Sequence, residues 1–434
     1  MRQLLQLPLV GLLLFFLTPS QQSKICVVDK KDESCLNPLL STMNNSKYTN
    51  EVQAAHVLLS LRLVRIKNQN LEQRLMEIVK NTTSRKGSDL SSGQLAWTIM
   101  ALGACHNPNE NFSNDFQLVH LLEKKFQEEI KNMGAHNGNS LTNYYQLSQG
   151  LLALCLFSGN YSVTEIAELF TPENENYYFS GQFSVDTGAM AVVALTCVKR
   201  SIEKQKIEAD TTISVTIDNH IKSLIKKILS EKKENGLIRN IYSTGEAMQA
   251  LFVSKNNYEQ SEWNCKQTLD TVLKEISQGA FSTPTAAAQI LPALMGKTYL
   301  YVNKDSPCVS GSGINFNVSA PVPGSVTPEN SPSAITVRYS VQINETYSTN
   351  VTVPNGSVFL DVMKEAQKQN KTVFDFTVEE TSWGPYVTCV QGLSANNNDR
   401  TYWEILSGPK PLSQGVGSYV VHDGESLMIR WSKY

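Results

Sequence analysis

The sequence predicts an α/α toroid, an α6/α6 barrel, followed by a small α+β domain of β-grasp-like build. Three observations carry this. Six stretches run a short polar lead-in into an Ala/Leu/Met-rich helix. Charged amphipathic stretches alternate with them. Beyond residue 333 the apolar period switches from helical to two.

The six stretches are NEVQAAHVLLSLRL (50–63), SSGQLAWTIMALGAC (91–105), TNYYQLSQGLLALC (142–155), FSVDTGAMAVVALTC (183–197), IYSTGEAMQALFV (241–253) and STPTAAAQILPAL (282–294). Aligned on Ser60, Ala101, Ala153, Ala194, Ala250 and Ala293, they are spaced by 41, 52, 41, 56 and 43 residues. Units repeating at this period bury one another. Each has few charges, as a helix buried on two sides requires. Leu118–Ile130 and Ile221–Leu229 instead place apolar residues at three- and four-residue steps, with Lys and Glu on the other face. They fit an outer ring. A closed double ring leaves one mouth where six helix starts converge.

Residues 1–23 read as a secretory signal: Arg2, an apolar core over 7–17, then a polar exit. The barrel is expected over 24–305. Residues 306–333 are rich in Ser, Gly, Pro and Asn and read as an extended, mobile linker. The β domain is expected over 334–434, with strands at 335–343, 346–353 and 426–431. A helix over 357–369 lies between them, with Ser357 as its N-cap.

Thirty-eight basic and 40 acidic residues give a net charge of −2, which argues against nucleic acid or a polybasic membrane surface. No segment after the signal is apolar enough to enter a membrane, and an extracellular monomer is expected. Eight cysteines in such a chain favour disulfides. Cys155 and Cys197 fall just past the aligned alanines of consecutive repeats, so neighbouring inner helices bring them together. Nine glycosylation sequons begin at Asn44, Asn81, Asn111, Asn160, Asn317, Asn344, Asn350, Asn355 and Asn370.

Catalytic motifs are sparse. The sequence holds no GxSxG, HExxH, P-loop or GxGxxG, and its six histidines lack ligand spacing. Asp186 and Glu246 stand at helix starts, where two carboxylates could serve a glycoside hydrolase or simply act as first-turn charges, with Ser243 or Thr244 capping beside Glu246. A non-catalytic protein-interaction module is a further alternative. The helix starts also bring Thr142, Asn143, Tyr144, Tyr145, Gln146, Thr187, Asn240, Ser243 and Gln289 to one mouth. That neutral rim suits a large ligand fringed with amides, since buried amides must find partners. Capping accounts for Ser, Thr and Asp there, less readily for Tyr144, Tyr145 and Gln146. The β domain adds Trp383 and Tyr386 in SWGPY, Tyr402 and Trp403 in RTYWEI, and Trp431 and Tyr434 in RWSKY, either as core or as a presented surface.

Taken together, TNYYQL, FSVDTGAMA, STGEAMQALF, AAAQILPALMGK, SWGPY, NNNDRTYWEIL and RWSKY resemble the secreted cobalamin carriers. The resemblance covers the whole chain. It implies a non-catalytic protein that binds and transports vitamin B12 (cobalamin) and corrinoid analogues, held between barrel and β domain. It implies barrel contacts from Thr142, Tyr144, Tyr145, Gln146, Asp186, Thr187, Asn240, Ser243 and Gln289. From the β domain it implies Trp383, Gly384, Tyr402, Trp403, Trp431, Ser432, Lys433 and Tyr434. Its disulfides map to Cys26–Cys265, Cys105–Cys308 and Cys155–Cys197. Cys35 and Cys389 are then left free, paired with each other, or paired between chains. Some relatives carry a cobalt-binding histidine before the SVDT motif. Residues 174–182 contain none, so no protein ligand to cobalt is expected from that loop.

Overall fold

The computed structural model describes residues 26–48, 50–86, 89–104, 115–179, 181–302, 334–381 and 384–434. The expected signal (1–23), the 306–333 linker, Cys105, Cys308, Asn111, Asn317 and Trp383 lie outside the described residues.

Among the described residues twelve α-helices make the larger body: α1 (Asn37–Asn45), α2 (Glu51–Val64), α3 (Gln69–Lys86), α4 (Ser92–Gly103), α5 (Asp115–Ala135), α6 (Tyr144–Leu156), α7 (Val163–Leu169), α8 (Val185–Glu203), α9 (Thr211–Ser230), α10 (Ile241–Val253), α11 (Cys265–Ser277) and α12 (Pro284–Leu294). A short hairpin, β1 (Tyr178–Phe179) and β2 (Gln182–Phe183), precedes α8. The even-numbered helices are the six repeats. Each packs on the next, and α12 packs back on α2. The ring is closed.

The sequence pattern explains the two layers. All six aligned residues, from Ser60 to Ala293, are buried. Small side chains there let helix backbones approach on both flanks. The odd-numbered helices bury one stripe only. In α9 it is Ile217, Ile221, Leu224, Ile225 and Ile228. In α5 it includes Leu122, Phe126 and Met133. Each such side chain contributes about 1.5–3 kcal/mol of burial. The Cys155–Cys197 bond links α6 to α8. Cys26–Cys265 ties the start of the described chain to α11. Cys35 is exposed and Cys389 half-buried, and neither is bonded among the described residues.

The C-terminal body has its own core. Its strands are β3 (Ala334–Gln342), β4 (Thr346–Pro354), β5 (Phe376–Thr381), β6 (Gly384–Val390), β7 (Leu393–Ser394), β8 (Thr401–Ser407), β9 (Lys410–Pro411) and β10 (Ser426–Lys433). The main sheet runs β4-β3-β10-β8-β9, and β10 lies parallel to β3. Helix α13 (Phe359–Gln369) covers the β3–β4 face. A last strand inserted beside the first, with one helix across the sheet, is a grasp arrangement. Alternation in β3 buries Val337, Tyr339 and Val341 against Phe359, Val362 and Met363.

One expectation is corrected. Ser357 does not cap α13; the N-cap is Val358. Asp361 accepts from Val358 N at 3.0 Å. The first helical amides donate to the carbonyls of Tyr419 and Val416. A neighbouring loop thus satisfies the groups a serine would otherwise take.

Candidate ligand-binding site

Every inner helix begins on a side-chain cap: Asn50, Ser91, Asn143, Ser184, Asn240 and Thr283. The caps fix the six starts at one end of the ring. They also separate capping residues from residues free for other work. Asn143 and Asn240 are caps, accepting from Gln146 N and from Tyr242 N and Ser243 N. Ser243 and Thr244 are therefore not the caps of α10. Asp186 does not cap α8, because Ser184 does.

Asp186 instead accepts a hydrogen bond from Ser243 Oγ at 2.8 Å, joining α8 to α10. Tyr145 Oη donates to Glu246 Oε1 at 2.5 Å, joining α6 to α10. Burial raises the Asp186 carboxyl above its ordinary range, opposed by the Ser243 bond. Burial and then the Asp186 charge push Glu246 up to about 8, with the Tyr145 hydroxyl and the nearby Gln289 amide pulling the other way. The structure thus supplies a second buried acid beside Asp186.

Below the mouth lies a belt. The sixth residue of each inner helix is His56, Trp97, Gln149, Met190, Glu246 and Gln289 in turn. All are buried. His56 stacks on Trp97 with ring centroids 4.1 Å apart. Burial lowers its pKa to about 3, so it is neutral. Tyr299, from the segment after α12, meets the edge of Trp97, and its N–H donates to Gln249 Oε1 at 3.0 Å. Gln149 Nε2, Glu246 Oε2, Gln249 Nε2 and both polar atoms of Gln289 are buried without a hydrogen bond. Such groups cost about 1–3 kcal/mol each unless something meets them. The pattern was available in the repeat alignment, four residues before each aligned small residue.

The rest of the rim is built locally. Glu129 of α5 accepts from Thr142 N at 2.9 Å, Thr142 Oγ1 at 2.5 Å and Ser92 Oγ at 2.6 Å. Gln146 Oε1 accepts from Ser91 Oγ at 2.5 Å. Thr187 bonds Ser184. Tyr144 departs from the expected arrangement. Its hydroxyl donates to Leu169 O and its ring lies against Phe170 and Tyr177, so it packs between layers rather than facing the mouth.

The β body meets this end of the barrel. Tyr434 lies 4.9 Å from the Phe179 ring and takes the Arg400 guanidinium over its face. Arg400 also donates to Tyr434 O and to Glu175 O. Gln414 donates to Tyr242 Oη. Sequence reasoning does not single out Arg400, Phe179, Tyr242 or Gln414: Arg400 lies in RTYWEI and Tyr242 in IYSTGEAMQALFV, but nothing local marks either as a contact between bodies. Tyr402 lies 5.9 Å from Tyr434, and Tyr386 is exposed. Gly384 sits at φ +95°, where a side chain is strained. Trp403 is buried, donates to Leu393 O and packs on Trp431. It belongs to the core, because its strand position faces inward. Ser432 donates to Glu404, and Lys433 is exposed.

A closed toroid with buried, unmet polar groups at one end, faced by a second body, has the build of a ligand-binding protein. The chain belongs to the family of eukaryotic cobalamin-binding proteins, whose pattern matches residues 8–330. A second pattern, a domain of unknown function, matches residues 356–433. The chain is 63% identical to human transcobalamin-1 over 434 residues, covering 100% of both chains. It is 34% identical to human cobalamin binding intrinsic factor, covering 96% of each. A crystal structure of haptocorrin in complex with Cbi matches with a TM-score of 0.88 at 61% identity, covering 95% of this chain and 100% of that one.

Proposed function

We propose that this chain is a secreted carrier that binds and transports cobalamin and other corrinoids between the barrel mouth and the β domain. The observation that carries this is Gln289. Both its side-chain polar atoms are buried and short of a well-formed hydrogen bond, with the Glu246 carboxyl beside the amide, in the belt beneath the Asp186–Ser243 pair. An amide with donor and acceptor capacity to spare complements another amide, and a corrin ring is fringed with them. Membership of the cobalamin-binding family supports the same ligand.

The barrel rim (Thr142, Tyr145, Gln146, Asp186, Asn240, Ser243 and Gln289) meets the amide fringe. The β-domain side (Trp383, Gly384, Tyr386, Tyr402, Trp431 and Tyr434) covers the ring's apolar surface. The barrel spans 24–305 and the β domain 334–434, and two separate cores support that division. Residues 306–333 tether them, so the β domain closes after the ligand enters. No side chain from 174–182 coordinates cobalt, which leaves the lower ligand free to vary. Two disulfides and exposed sequon asparagines at Asn81, Asn160, Asn344, Asn350, Asn355 and Asn370 support secretion and glycosylation. Among the described residues no helix is long and apolar enough to cross a membrane.

Asp186 beside Glu246 favours hydrolysis as a second reading. We read the pair as part of the ligand rim, because the chain belongs to the cobalamin-binding family and Ser243 and Tyr145 each hold one oxygen of the two carboxyls. The test is the visible absorbance of the purified chain after incubation with cobalamin and exhaustive dialysis. Retained corrin bands at one equivalent are expected. Complete loss of colour, or release of sugar from oligosaccharides, would reject the carrier reading.

A further inference from the structure

We infer that the 396–400 turn of the β domain is a latch, with Asn398 the positioning residue that holds the two bodies closed on the 136–142 loop of the barrel. The inference rests on the carrier reading and adds how closure is held.

The barrel side is preformed. Asn137 and Gly138 adopt left-handed backbone after α5, at φ 52° and 84°. Asn132 Nδ2 donates to Asn139 O at 3.0 Å, and Asn176 Nδ2 to Gly138 O at 2.8 Å. Asn139 and Ser140 are buried. The β side is preformed too. Asn398 N donates to Asn396 Oδ1 at 2.9 Å, and Thr401 closes the turn through Asn396. Little ordering is left to oppose their union.

Beside the bonds of Arg400 to Glu175 O, Gln414 to Tyr242 and Asn50 to Thr381 O, three hydrogen bonds from Asn397 and Asn398 cross between the bodies. Asn132 Nδ2 donates to Asn398 Oδ1 at 2.8 Å. Asn139 Nδ2 donates to Asn398 O at 2.9 Å. Asn397 Nδ2 donates to Leu141 O at 3.2 Å. These three join neutral protein groups directly, so salt and mild pH change leave them intact, while Arg400 of the same turn adds a charged contact to Glu175 at 3.6 Å. The loop they grip ends at Thr142, which Glu129 anchors one turn before Asn132 on α5. One rigid segment therefore carries both a rim residue and the docking point of the β domain. Such a latch acts on escape rather than encounter.

The test uses the full chain carrying Asn132→Ala, Asn398→Ala, or both. Cobalamin release is timed by chase with excess labelled ligand. Each single change should speed release about two- to tenfold, the range set by one net hydrogen bond. The double variant should release no faster than the product of the singles divided by that same factor, because the bond is shared. Association rates should not change. Small-angle scattering of the cobalamin-loaded chains provides a second arm: Asn398→Ala should expand the molecule. Unchanged release, fully multiplicative singles, or identical scattering would each overturn the latch. If the wild-type chain retains no cobalamin, the carrier reading fails and the latch falls with it; if it retains cobalamin and the variants release it no faster, the latch alone fails.

Discussion

Ser243 Oγ donates to Asp186 Oδ2 across the seam between α10 and α8. Neither residue caps its own helix, since Asn240 and Ser184 do that. The pair is thus set apart from secondary structure, and its orientation is fixed by the neighbouring repeat.

Asp186→Ala should weaken cobalamin binding. A ligand amide would lose a charge-assisted partner, at about 1.5–3 kcal/mol, or roughly ten- to a hundredfold in Kd. Equilibrium competition against labelled cobalamin measures this. Wild-type affinity in the variant would leave Asp186 a structural bridge only.

Glu246 gives stability a pH signature. Its folded pKa of about 8 lies above the ordinary 4.5. The folded state keeps a proton that the unfolded chain releases, so the group's stabilisation is complete below pH 4.5 and is lost as pH rises to about 8. Wild type should lose on the order of a few kcal/mol relative to Glu246→Gln across that window. Denaturant melts of both chains, compared pH by pH, would show it. Parallel curves would mean that Glu246 is ionised throughout.

Replacing Cys155 and Cys197 together by Ser should cost about 4 kcal/mol by the loop-entropy relation for the 42-residue span. The denaturant midpoint reads this directly. A loss under 1 kcal/mol would show that residual structure between these two segments already restrains the unfolded chain as much as the bond does.

Glu129→Gln should loosen the rim. All three groups that meet the carboxylate are donors, and an amide nitrogen would oppose one of them. We expect about 1–3 kcal/mol of lost stability. Faster amide exchange at Thr142 is the local readout. Exchange as slow as in wild type would show that the loop holds without Glu129.

The two rings were legible because burial on both flanks forces small, uncharged side chains at one repeated position, and Ser60 through Ala293 supply them. The belt was equally legible, four residues earlier, yet His56 or Gln149 taken singly looks like any other core polar residue. Capping was read less well. Ser243 and Asn240 are both good caps by type, and only backbone position decides between them. The resemblance puts Tyr144 and Trp403 on the ligand side, whereas both side chains pack inward, because residue type carries no direction. The 396–400 turn shows the deeper limit: Asn398 meets Asn132 from 266 residues away. Nothing local marks that partnership.

The contact of α12 with α2 has a consequence for how such carriers can diversify. An open solenoid lengthens or shortens by whole units and protects its ends with special repeats. A closed circle has no end to extend. A seventh pair would have to pry the circle apart, and a missing pair would leave a breach to the core. The aperture is therefore set by counting. New preferences among ligands must be written in the side chains and loops around a hole of constant size, and in the cover that closes it.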